Sequence, residues 1–123
     1  MADLEVSLKE AMAISGAVGV ALVDYTSGMT LGTAGGSREL DLEVAAAGNT
    51  EVVRAKMRTM QDLGLKESID DILITLDSQY HLIRPLTSSR GDGLFLYLAL
   101  NRSQANLAMA RRQLQAIEQT LVL

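Results

Sequence analysis

The only histidine, His81, is the residue best suited to acid–base chemistry, so the search for an active site begins there. Asp77 and Asp71 are the carboxylates that a hairpin could bring near its ring, and a general base requires such a positioned partner. Asp70 and Asp71 are neighbours in a predicted strand, where adjacent side chains point to opposite faces, so they do not form a catalytic pair. The sequence therefore predicts no catalytic residues and a structural or exposed role for His81.

Metal and nucleotide motifs are also missing from the sequence. The chain has no cysteine, which excludes thiolate metal sites, disulfides and cysteine nucleophiles. The spacing of one glycine cluster fits neither the dinucleotide fingerprint nor the phosphate loop: Gly28, Gly32, Gly35 and Gly36. We therefore expect no cofactor and no metal.

Two short motifs have simpler explanations than their usual functions. Residues 90–92 spell Arg-Gly-Asp, the tripeptide that integrins read, and we interpret them as a hairpin turn in which glycine supplies a positive φ. Residues 101–103 match a glycosylation sequon, and we interpret Asn101 or Ser103 as the cap of the last helix.

Five cations are the main basic groups on the predicted helices. An arginine supplied to a partner can accelerate GTP hydrolysis by stabilising transition-state charge. Runs of charge on helices more often face solvent, and we favour that interpretation. The residues are Arg54, Lys56 and Arg58 on the long helix, and Arg111 and Arg112 on the last one.

Composition limits the class of protein. A chain of 123 residues is expected to form a single domain, residues 1–123. Its net charge of −4 argues against nucleic acid as a partner, because that affinity rests on lysine and arginine. The longest apolar run, residues 17–23, is too short to insert into a membrane, and residues 1–10 are too acidic for a signal peptide. We expect a cytoplasmic protein.

The apolar pattern predicts the order helix, two strands, long helix, three strands, helix. The two most apolar strands, residues 17–23 and 94–100, belong side by side in the middle of a sheet. Hairpins then give a five-stranded antiparallel sheet of order 2-1-5-4-3 with helices on its faces, an α/β (α+β) fold. The other strands are predicted at residues 29–34, 69–76 and 80–86.

The long helix, with Ser37 as its predicted cap and Gly64 at its end, has two apolar sides. The bulky side suits packing on the sheet, and Asn49 falls on it as a predicted hydrogen-bonded core group. The bulky residues are Leu42, Ala46, Val53, Met57 and Met60. The residues of the other, mostly small, side are Leu40, Val44, Ala47, Gly48 and Ala55.

The strand at residues 69–76 is apolar on both faces yet falls at an outer edge of the predicted sheet. An exposed apolar edge invites aggregation unless something covers it. Antiparallel pairing with the same strand of a second copy would cover it and bring the two long helices together, which predicts a two-fold homodimer. The predicted interface consists of Val44, Ala47, Gly48, Glu51 and Ala55 on the helix, and Ile72 and Ile74 on the strand.

The element order, the N-terminal hairpin (GAVGVALVDYTSGMTLGTAGG) and the C-terminal segment (LFLYLALNRSQANLAMARRQL) together resemble the roadblock / dynein light chain superfamily, in the form of a bacterial-type stand-alone roadblock domain. The resemblance runs from about residue 4 to residue 121. It implies an antiparallel sheet with helices on its faces and pairing through the middle helix and third strand. It also implies service as a platform or regulator for small Ras-like GTPases, or as an adaptor subunit.

The functional expectation is a homodimeric, non-catalytic interaction module that binds and regulates or scaffolds a small Ras-like GTPase or related signalling complex. Its expected partners are itself and such a GTPase or signalling protein. One alternative is a small-ligand-sensing domain of a related α/β fold, which ranks lower because the predicted core is nearly all aliphatic. A purely structural adaptor is the other alternative.

Overall fold

The computed structural model describes residues 2–87 and 92–123. In this part of the chain, five antiparallel strands form one sheet in the order β2-β1-β5-β4-β3. This confirms the predicted fold class and strand order. In sequence order the elements are α1 (Leu4–Met12), β1 (Ala17–Asp24), β2 (Met29–Gly35), α2 (Leu42–Asp62), β3 (Ile72–Thr75), β4 (Gln79–Pro85), β5 (Leu94–Asn101) and α3 (Leu107–Thr120).

Helices cover both faces of the sheet, which is why β1 and β5 can be apolar throughout. The face that packs against α1 and α3, here called the α1/α3 face, carries among others Val20, Leu22, Leu96 and Leu98. The face that packs against α2, here called the α2 face, carries Ala21, Val23, Phe95 and Tyr97. Each central strand thus alternates its side chains between two cores.

The end of α2 is fixed by Gly64, as predicted. Its φ of +72° lies in the left-handed region that favours glycine. The N–H of Gly64 donates to the carbonyl of Gln61 at 3.0 Å, and the N–H of Leu65 donates to that of Met60 at 2.9 Å. This is the paired bonding of a Schellman motif, which satisfies carbonyls at the helix end.

The predicted cap of α2 was wrong. Asp41 is the N-cap residue: one carboxylate oxygen accepts from the N–H groups of Glu43 at 3.0 Å and Val44 at 3.2 Å. Ser37 instead accepts from the N–H of Leu40 at 3.1 Å in a separate turn. Asp41 caps the helix because its carboxylate accepts from two N–H groups, whereas Ser37 accepts from one. The helix α2 therefore begins after residue 41.

The predicted cap of α3 was wrong for a similar reason. Asn106 is the N-cap, and its side-chain oxygen accepts from the N–H of Met109 at 3.1 Å. Asn101 still belongs to β5, where its side-chain oxygen accepts from the N–H and hydroxyl of Ser103 at 3.2 and 2.9 Å. That local turn carries the chain from the strand towards the helix.

β3 is shorter than predicted, since residues 69–71 and residue 76 lie outside it. Asp71 is drawn towards α3, where both carboxylate oxygens accept from the guanidinium of Arg111 at 2.9 Å. The carbonyl of Asp70 accepts from Arg84 at 3.3 Å. These bonds hold residues 70 and 71 away from the ladder, and a short edge strand limits the exposed edge.

None of the helices within residues 2–87 and 92–123 combines the length and the apolar character that crossing a membrane requires.

Candidate functional site

The outer side of α2 is an exposed stripe of mostly small residues. Val44 is 68% exposed, and Ala47, Gly48, Glu51 and Ala55 are exposed as well. Their spacing places them along one side of the helix. A Cβ atom built on Gly48 would meet nothing within 4 Å in the described chain. The stripe therefore offers a surface on which another helix could approach closely.

β3 lies at the sheet edge on the same side of the molecule. Its Ile72 and Ile74 point to the α2 face, where they are half-buried against the core. β4 is the only strand that pairs with β3 within the described residues. The structure thus places the seven residues of the predicted interface along the α2 side, five on the helix and two on the edge strand.

An open groove of about 460 Å³ lies beside the first turns of α2. Residues 38–41 line it where the chain enters the helix. The other residues that line it are Val44, Ala45, Gly48, Asn49, His81 and Tyr97. The exposed stripe and the polar groups on the sheet therefore share one depression.

His81 belongs to a chain of hydrogen bonds in this groove. Its Nδ1 atom lies 3.2 Å from the hydroxyl of Tyr97, and its Nε2 atom lies 2.8 Å from Oε1 of Gln79. Asn49 is half-buried and lines the same groove beside Tyr97. The hydrogen bonds of His81 join β4 to β5, and the prediction that Asn49 is a hydrogen-bonded core group stays a prediction.

Burial shifts the acid–base properties of this network. Desolvation lowers the pKa of His81 because burial disfavours the charged ring. Desolvation also raises the pKa of Tyr97 to about 12, an effect that the nearby Asn49 side chain partly opposes. Both groups are therefore held in their neutral forms near pH 7.

The carboxylates proposed as partners of His81 make other contacts. Asp71 binds Arg111 of α3 on the opposite face of the sheet, and this contact raises the pKa of Arg111. Asp77 is exposed in the turn between β3 and β4. Among the described residues, no three histidine, aspartate or glutamate side chains are grouped closely enough to hold a metal ion.

Most of the basic residues on the predicted helices face solvent. Arg54, Lys56, Arg58 and Arg112 are exposed, in agreement with a solvated helix surface. Of the Arg-Gly-Asp motif, residues 90 and 91 lie outside the described part of the chain.

Sequence reasoning missed a shielded ion pair between Arg84 and Glu118. Arg84 Nε lies 2.5 Å from Glu118 Oε1, and the two side chains are 13% and 7% exposed. The signal was present, because Arg84 alternates with Leu82 and Leu86 on the α1/α3 face, where an unpaired charge would be costly.

Comparison with known proteins identifies the fold. No protein-family model matches the chain, and no curated protein sequence is similar to it. Among solved structures, the Roadblock/LC7 domain from Streptomyces avermitilis superposes with a TM-score of 0.80 at 13% identity, covering 97% of this chain and 94% of that one.

Two MglB structures are also similar. Myxococcus xanthus MglB gives a TM-score of 0.72 at 17% identity over 93% of this chain and 77% of that one. The gliding protein MglB from Thermus thermophilus gives 0.70 at 16% identity over 94% and 87%. The chain therefore has the roadblock/LC7 fold.

Proposed function

We propose that this chain is a non-catalytic interaction module of the cytoplasm whose copies pair through α2 and β3 and then bind a small Ras-like GTPase or a related signalling complex. The observation that carries the proposal is the exposed stripe of small residues on α2 beside the open edge of β3. In the proposed state the whole chain acts as a single domain, and its partner supplies any nucleotide.

Exposure and backbone geometry support the pairing. Val44 is a large apolar residue left in water, and burial of such side chains is the main driving force of association. The outer edge of β3 presents N–H and C=O groups that the same strand of a second copy can pair antiparallel. A two-fold axis would join the two sheets and place the two stripes face to face.

Charge along α2 favours an antiparallel arrangement of the two helices. Glu43 and Glu51 lie in its first half, and Arg54, Lys56 and Arg58 follow in its second half. Antiparallel helices place each acidic half opposite a basic half, whereas parallel helices would bring like charges together. One structure of this fold, which is 14% identical to the chain, is MglB with a tetrameric arrangement.

The GTPase partner is supported by the resemblance to the roadblock superfamily and by the structural similarity to MglB and to Myxococcus xanthus MglC, which gives a TM-score of 0.59 at 18% identity.

Two measurements, made one after the other, test first the pairing and then the GTPase partner. Light scattering at micromolar concentration should give the mass of a dimer, and a monomer would contradict the pairing. Affinity capture from native lysate, with a GTP analogue and with GDP, should retain a small GTPase preferentially in one nucleotide state. Recovery of only nucleotide-insensitive proteins would favour a purely structural adaptor.

The groove beside α2 favours a small-ligand sensor as the second candidate. It combines apolar walls with the polar groups of Asn49, His81 and Tyr97, the composition of many ligand sites. It ranks second because the groove is open and two of these groups, His81 and Tyr97, bond each other. A thermal-shift screen with nucleotides and metabolites supports the sensor if one compound raises the melting temperature.

A further inference from the structure

We propose that His81 is a proton switch for self-association: two copies pair when its ring is neutral, and protonation of the ring weakens the pairing. The inference rests on the proposed function, because it concerns the same α2 and β3 surface.

A neutral ring satisfies both hydrogen bonds of His81. In the tautomer with the proton on Nε2, that nitrogen donates to Oε1 of Gln79, and Nδ1 accepts from the hydroxyl of Tyr97.

Protonation at Nδ1 reverses one of these bonds. The ring becomes a donor at both nitrogens, so the Tyr97 hydroxyl can no longer donate to it. Its proton must turn towards another acceptor in a fully buried site, and a buried donor without an acceptor is unfavourable. The change therefore acts at Tyr97, which belongs to the core between the sheet and α2.

The position of His81 connects this change to the pairing surface. His81 is the cross-strand neighbour of Ile74 on β3, and it lines the same groove as Val44 and Gly48. A second copy seated on the stripe would cover this groove and remove more water from the ring. A charged His81 would then be buried without a carboxylate partner, which is costly.

Few groups around His81 could offset the cost of burying its charged ring. α2 contributes the uncharged Asn49, β5 contributes Tyr97, β4 contributes Gln79, and β3 contributes Ile74. The charged groups on the groove are all in the segment that leads into α2: Arg38, Glu39 and Asp41. The His81→Gln variant retains these charged groups, so its comparison with the wild type separates the effect of the ring from theirs.

The test is the dissociation constant of the dimer, measured by analytical ultracentrifugation at pH 7.5 and pH 5.5. The wild type should pair more weakly at pH 5.5, by at most about tenfold per His81, because pH 5.5 lies only about one unit below the ordinary histidine pKa. His81→Gln keeps every carboxylate but cannot be protonated, so its dissociation constant should be nearly the same at both pH values. Circular dichroism at both pH values checks that each protein stays folded.

Proton NMR gives a second readout that a merely structural role would not move. His81 is the only histidine, so its ring signals titrate without overlap. Its pKa should be lower at protein concentrations that favour the dimer than at high dilution.

The outcomes separate the switch from the proposed function. A monomer at pH 7.5 would overturn the pairing and the switch together. A dimer with equal affinity at both pH values, or an equal loss of affinity in His81→Gln, would overturn the switch and leave the pairing standing.

Discussion

Arg84 and Glu118 join β4 to α3 through an ion pair that is almost entirely shielded from water. Glu118 also accepts from the N–H of Thr87 at 2.9 Å and from its hydroxyl at 3.3 Å, while Arg84 reaches the carbonyl of Asp70. One carboxylate therefore fixes the strand, the helix and the chain that leaves β4. Because both charges are buried, each depends on the other.

Replacing Glu118 with Gln should destabilise the fold by about 3 kcal/mol, because it leaves the charge of Arg84 buried without its partner. Urea unfolding followed by circular dichroism measures this loss. The matched control is Glu5→Gln, which breaks the exposed pair of Glu5 and Lys9, whose side chains are 80% and 75% exposed. Exposed pairs contribute little, so the control should unfold almost like the wild type. Equal effects in both variants would contradict the assignment.

Asp41→Ala should cost about 1 kcal/mol of stability, because the carboxylate caps two N–H groups at the start of α2. Ser37→Ala is the control, since Ser37 caps only a turn outside the helix. Thermal unfolding of the two variants compares them directly. A larger loss in Ser37→Ala would move the start of the helix back to the position that the sequence pattern indicates.

These corrections show where sequence patterns stop being informative. The strand order followed from apolar runs and hairpins, because burial on both faces forces residues 17–23 and 94–100 to the centre of the sheet. The helix cap could not be predicted from the sequence pattern, because Ser37 and Asp41 are both good capping residues and only the backbone geometry decides between them.

The ends of β3 and the partners of the charged residues depend on contacts between distant segments. Asp71 leaves the ladder because Arg111, far along the chain, lies within reach. The network around His81 likewise requires Asn49 and Tyr97 to meet across two elements. Residue spacing alone does not show such contacts. The only sign of them in the sequence is a polar residue on an otherwise apolar helix face, such as Asn49.

Ile74→Lys should abolish pairing while the chain stays folded, because it places a charge on the β3 edge that the second copy would cover. Light scattering gives the mass, and circular dichroism reports the fold. Thr75→Lys is the control: Thr75 is the next residue, is exposed, and points to the opposite face of the sheet. An unchanged dimer in Ile74→Lys would refute the assigned interface.

Ile74 is half-buried, so a second variant protects this test from a folding defect. Val44→Glu changes a side chain that is 68% exposed and leaves the core intact. It should also give a monomer, because it places a charge within an apolar contact.

Gly48→Ala should have opposite effects on folding and on pairing. In the separated chain, the added Cβ meets open space and improves helix propensity by about 1 kcal/mol, so the diluted protein should resist urea better. In the pair, the same methyl group would hold the two helices apart and raise the dissociation constant. The neighbouring exposed position Ala47 supplies a control, Ala47→Ser, of nearly unchanged size. A variant that is more stable and pairs as tightly as the wild type would exclude a close helix contact at Gly48.

Acidification should destabilise the separated chain through His81. The folded state holds the pKa of His81 below its usual value of 6.5, whereas the unfolded chain restores that value. Below about pH 6.5 the unfolded state therefore binds more protons than the folded state, and the free energy of unfolding falls as the pH falls. The fall ends below the folded-state pKa, where both states are protonated.

Urea unfolding of the dilute protein between pH 7.5 and pH 5.5 measures this slope. Tyr97→Phe removes the hydroxyl beside Nδ1 but leaves the ring of His81 buried, and burial is the cause of its lowered pKa. The slope of Tyr97→Phe should therefore stay close to that of the wild type, whereas His81→Gln should show a shallower slope than both. If His81→Gln keeps the full slope of the wild type, the pH dependence arises from carboxylates rather than from this ring, because the carboxylates are the other groups that change charge as the pH falls.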